Sequence, residues 1–134
     1  MTPGVSKHIL LQFIQSLNGA DCHMALLKTG ARIDADTFVF DGTGEAEGSG
    51  YAAGGKRLQG FSCGLDNGTA WAAWNSVDWM NASIKAKGAV IYAKAWGNKI
   101  VAVLEFDEEK SSSQALFRVR MPAPGSQGAI FGLT

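Results

Sequence analysis

The chain has 134 residues, 46% of them apolar and 18% charged, and its twelve Lys and Arg balance twelve Asp and Glu to a net charge of zero. That composition fits one globular domain and excludes a disordered chain. The missing basic surplus argues against sequence-independent nucleic-acid binding. No run approaches the roughly 18 apolar residues that span a bilayer, and no signal-peptide core is visible, so a protein made soluble in a cytoplasm is expected, with no membrane partner.

Residues 5–19, VSKHILLQFIQSLNG, form the one convincing helix. Ile9, Phe13 and Leu17 recur every four residues, and Leu10 and Ile14 widen the stripe. Ser6 is placed to cap the start, and Asn18-Gly19 to supply a left-handed stop. Residues 1–20 are read as a helical arm packed on a single β-domain spanning 21–134.

After Gly19 the pattern turns to β. Strands are expected near Cys22–Lys28, Thr37–Phe40, Lys56–Cys63, Thr69–Trp74, Gly88–Ala95, Lys99–Phe106, Ala115–Met121 and Gly128–Leu133. Ala89–Ala93 and Ile100–Leu104 are continuous apolar runs, as central strands require. Trp96-Gly97-Asn98 and Asp66-Asn67-Gly68 are hairpin tips, and Asp107–Ser113 a longer polar turn. In Phe117-Arg118-Val119-Arg120-Met121 two arginines face away from three apolar side chains. Seventeen glycines, with the three prolines confined to positions 3, 122 and 124, suit many short strands and tight turns. The fold class is mainly β: an antiparallel β-sandwich or jelly roll of about eight strands with one N-terminal helix.

Chemistry-bearing motifs are few. Gly50-Tyr51-Ala52-Ala53-Gly54-Gly55-Lys56 matches part of a phosphate-binding loop, but Arg57 stands where Ser or Thr should hold magnesium, and the following residues alternate like a strand. Glycines that permit positive φ in a turn are the better reading. Glu45, Glu47 and Glu105 make no compelling acid–base pair, and His8 and His23 are too isolated for a metal or a triad. Cys22 and Cys63 are read as buried free thiols rather than a bridge. No catalytic residue, cofactor site or metal site is assigned, and the chain is read as no enzyme. The run WAAWNSVDWM concentrates Trp71, Trp74 and Trp79. With Trp71 and Trp74 on opposite sides of a strand, one is core and the other needs a partner or a cover. A subunit interface is the preferred use, and a carbohydrate platform the alternative.

Four stretches together resemble a family of small bacteriophage virion structural proteins. They are ILLQFIQSLNG with CHMALLKTGARIDADT, the segment GEAEGSGYAAGGKRLQG with its Gly-Tyr-x-x-Gly-Gly signature, the block from WAAWNSVDWM through GAVIYAKAW to VLEFDEEKSSS, and the ending FRVRMPAPGSQGAIFGLT. The Glu105–Glu109 run is more acidic, and the 71–79 segment richer in Trp, than the family's usual pattern. The resemblance implies a head decoration or cement protein on the outer surface of the capsid. Its implied partners are the major capsid protein and copies of itself, as a dimer or trimer. A neck, tail or head-fibre component, or a carbohydrate- or receptor-binding module, is the alternative. Contact candidates are Tyr51, Trp74, Trp79 and, on the first helix, Ile9 and Phe13.

Overall fold

A computed structural model describes residues 6–33, 37–66, 69–119 and 131–133. In chain order these form helix α1 (Lys7–Gln15) and strands β1 (Cys22–Leu27), β2 (Gly48–Ser49), β3 (Lys56–Arg57), β4 (Ser62–Asp66), β5 (Thr69–Ala73), β6 (Val77–Ala93), β7 (Lys99–Ser111), β8 (Ala115–Val119) and β9 (Phe131–Leu133). The mainly β, antiparallel class with one N-terminal helix is as expected.

The organising element is β6, whose 17 residues span on the order of 50 Å. Along one edge it pairs with β7 and then β8, and along the other with β2 and β1; β3 adds beyond β1. A second sheet, in the order β4–β5–β9, carries α1 on it through Ile14 and Leu17. Both sheets and the helix share one buried cluster that includes Met24, Leu26, Ala72, Trp74, Trp79, Ile84, Ile91 and Phe117.

Burial along β6 explains its sequence. From Val77 to Lys87 buried and open positions broadly alternate, as in a strand covered on one face. From Gly88 to Ala93 every residue is buried. There the back of the sheet carries a second cluster of Ala25, Leu27, Phe40, Val90 and Tyr92, with Ala31 and Ile33 packed against it from the following loop. The continuous apolar runs are thus the doubly covered part of the sheet.

Several boundaries differ from expectation. The strand expected at Gly88–Ala95 begins eleven residues earlier, because its one-sided half lacks a continuous apolar run. The strand expected at 56–63 divides into β3 and β4, since Gly60 takes φ 70° between them. Residues 37–40 contribute an isolated bridge, Val39 to Lys99, rather than a strand. Of the polar turn expected at 107–113, residues 107–111 are instead strand, and only the bend after Ser111 breaks it. Residues between Glu105 and Lys110 bulge opposite Lys87, whose ammonium donates to the Phe106 carbonyl, and Gln114 turns at φ 49° before β8 resumes the ladder. Helix α1 ends in a 3₁₀ turn over Ser16–Gly19, and the left-handed residue is Asp21, φ 53°, not Asn18 or Gly19. Ser6 makes no side-chain cap. The tip at Gly97-Asn98 is as expected, with both residues at positive φ. Asp66 pairs with Thr69, but Asn67 and Gly68 lie outside the described residues, as do Arg120, Met121, residues 128–130 and the side chain of Leu10.

Candidate functional site

The Gly-Tyr-x-x-Gly-Gly segment is a fastening. Glu45, bridged to Leu27, accepts hydrogen bonds from the Tyr51 hydroxyl and, at 2.7 Å, from the Gly54 N–H. The Tyr51 oxygen in turn accepts the Leu26 N–H at 3.0 Å, and the Tyr92 hydroxyl donates to the Gly54 carbonyl at 2.5 Å. Burial, then the hydrogen bond to Glu45, pushes the Tyr51 phenol far above its ordinary range. Two glycines let the segment lie this close. A Cβ on Gly55, φ 77°, would stand 1.8 Å from the Met24 carbonyl oxygen, and one on Gly50 would stand 2.9 Å from the Ala82 Cα.

This geometry leaves nothing for a phosphate. The chain after Gly55 enters β3 rather than a helix, so no helix N-terminus faces the loop. Lys56, though exposed, is engaged by its own chain, donating to the Asp78 carbonyl at 2.5 Å and lying 5.9 Å from the centre of the Trp79 ring. Tyr51, half-buried against Trp79, is engaged in the same internal network.

The tryptophans are placed differently from the contact role expected of them. Trp74 is 5% exposed and packs on Phe61, and Trp79 is 1% exposed with its ring edge-on to Phe117. Alternation through residue 74 supposes a strand that continues. In fact β5 stops at Ala73, and the Asn75 N–H bonds the Gln59 carbonyl at 2.8 Å, which folds Trp74 under the sheet. Trp71 covers Gly64, its cross-strand partner: a Cβ there would meet the indole at 2.8 Å.

The surface instead carries large apolar side chains in pairs. Ile9 and Phe13, both 58% exposed, lie one turn apart on α1. Met80 and Leu116, 67% and 46% exposed, sit on the solvent face of β6 and β8, and Phe38 with Val39 stands beside the start of β7. The Lys99 ammonium lies 5.5 Å from the Phe38 ring centre. Ile9 and Phe13 are the two contact candidates that do reach solvent. Phe38, Met80 and Leu116 escape sequence reading, although Met80 and Leu116 each occupy an outward position next to a buried aromatic. Beside them Arg118 and Asp78 form a two-pronged ion pair, Nε to Oδ1 at 2.7 Å and Nη2 to Oδ2 at 3.0 Å. The Arg118 hydrogen bonds hold the Asp78 carboxyl below the usual carboxylate range.

The remaining titratable groups are dispersed. Glu105, on β7, pairs with Gly88 of β6, Glu47 is exposed, and His8 is exposed on α1. His23 stacks on Tyr92 at 5.7 Å and bonds Asp21 at 3.2 Å. Cys22 and Cys63 are free thiols; Cys22 is buried, its thiol pushed up to about 11 by burial and then by Asp21, and Cys63 is only half-buried. Among the described residues no three His, Cys, Asp or Glu are placed to hold a metal ion. Among them, too, no helix is long and apolar enough to cross a membrane. No protein-family model, no curated protein and no solved structure matches the chain.

Proposed function

We propose that this chain is a structural subunit of a bacteriophage virion, a decoration protein that binds across major capsid protein subunits on the outside of the head. The observation that carries the reading is the set of large apolar side chains exposed on a tightly fastened β-body: Ile9 and Phe13 on α1, Met80 on β6, Leu116 on β8, and Phe38 with Val39 beside the start of β7. Large apolar side chains left in solvent are a mark of contact with other proteins. The four-part resemblance, with the Gly-Tyr-x-x-Gly-Gly segment at its centre, supports the choice of a virion.

The mechanism is mass action. A ligand that binds only the mature shell stabilises that shell by RT ln(1 + [L]/Kd) per site, and a shell repeats the site many times over. Burying Trp74 and Trp79 withdraws the aromatic platform on which a sugar-binding reading rests. Mass spectrometry of purified virions tests the proposal: the chain is expected in a copy number of the same order as the major capsid protein. About a dozen copies would move it to the neck or tail, and its absence from particles would end the proposal. In reconstituted shells, Phe13→Glu is expected to reduce occupancy by about tenfold or more.

A further inference from the structure

The solvent face of the ribbon formed by β6 and β8 carries a small ordered array. Asp78 faces Arg118 across the ladder, and Met80 and Leu116, which follow Trp79 and precede Phe117 in the chain, are both exposed where the register shifts between Trp79 and Ala82. The array is held from behind, because Val77, Trp79, Phe117 and Val119 all point into the core. Lys56 fixes the Asp78 carbonyl from the edge. Neither charge is hidden by the pair they make: the Asp78 and Arg118 side chains remain 36% and 44% exposed.

An acid and a base on opposite strands, with one apolar side chain next to each, make a surface complementary to itself. A two-fold axis running along the ribbon between two facing copies brings β6 of each over β8 of the other. Met80 then lies on Leu116 of the second copy, and Asp78 meets its Arg118, twice over, as an isologous contact requires. A foreign surface of one charge sign would gain from one of these ions and be repelled by the other. The zero net charge of the chain leaves little long-range repulsion between copies. Helix α1 lacks this property, since its first turn carries no acidic residue. We propose that the Asp78–Met80–Leu116–Arg118 face is a self-association surface and that its occupant is a second copy of this chain. The inference deepens the virion reading, which implies copies of the chain as partners without naming a surface, and its test is separate from that reading.

Sedimentation of the full chain over a micromolar-to-millimolar series tests it. The unmodified chain is expected to show a concentration-dependent dimer, and Met80→Lys to raise the dissociation constant by about tenfold or more with an unchanged melting temperature. Charge reversal supplies the sharper arm. Asp78→Arg alone and Arg118→Asp alone should each be monomeric, since each presents two like charges to its own copy. Their equimolar mixture should dimerise, because the paired arginines of one variant then meet the paired aspartates of the other. A monomer at every concentration, a dimer untouched by Met80→Lys, dimers of either single reversal, or a monomeric mixture would each overturn the proposal. None of these results touches the copy number in virions, so the two readings fail separately.

Discussion

Tyr51 ties separate stretches of backbone together with one oxygen and one ring. Its hydroxyl joins the Glu45 carboxylate to the Leu26 N–H, and its ring lies on Trp79. Removing that oxygen leaves a half-buried carboxylate and a strand N–H short of a partner, so Tyr51→Phe is expected to cost about 1–3 kcal/mol in denaturant melts. The same residue sets an alkaline limit. Its phenol is raised in the folded chain, while in the unfolded chain it titrates near 10. The stability it confers is fully present below about pH 10 and is lost as pH climbs from there toward the folded value. Tyr51→Phe is expected to flatten the fall in stability above about pH 10, measured by urea titration at stepped pH; an unchanged slope would show that Tyr51 does not govern it. The glycines of this segment are legible in the sequence as positive-φ turn residues. The carboxylate partner is not, because nothing in the spacing of Glu45 and Tyr51 says that the two will meet beside Leu26 and Leu27 of β1.

At the scale of elements, α1 shows how a stripe can be right in period and wrong in phase. Ile9, Phe13 and Leu17 repeat correctly, yet the buried line runs through Ile14 and Leu17, and Ile9 and Phe13 face solvent. With apolar residues at 9, 10, 11, 13 and 14, the helix has two candidate faces, and only the sheet beneath it selects one. Ile14→Ala is therefore expected to destabilise by about 2–5 kcal/mol, whereas Phe13→Ser should stay within about 0.5 kcal/mol. Thermal melts of the two variants check the assignment. The pairing of β7 with β6 teaches a related lesson. Asp107, Glu108 and Glu109 look like a turn because they are polar, but the neighbouring residues re-pair with β6 at Ala86 and Lys85 and carry the chain onward as an edge. Local polarity reports exposure, and an edge strand at the far end of a ribbon is exposed without turning.

On the scale of the whole molecule, the class and the central hairpin are legible because they rest on local signals: apolar runs, alternation and the Gly97-Asn98 tip. Which surfaces stay open is not legible, since that depends on which layer covers which. Strand alternation leaves one of Trp71 and Trp74 in need of a cover, but β5 ends at Ala73 and Trp74 turns inward, as does Trp79, the other tryptophan expected at a contact. One shared core has a measurable consequence. With Trp74 of the loop after β5, Trp79 of β6 and Ile14 of α1 in a single cluster, unfolding is expected to be one cooperative transition. Tryptophan fluorescence and far-ultraviolet dichroism should therefore give coincident curves, and separated midpoints would show that the second sheet melts independently.

Strand β6 also gives the body a direction. It is bonded to antiparallel neighbours on both edges through much of its length, so tension applied end to end along it must break many rungs at once, in shear. Tension applied across it opens them one after another, like a zip. The molecule is consequently stiff lengthwise and compliant sideways.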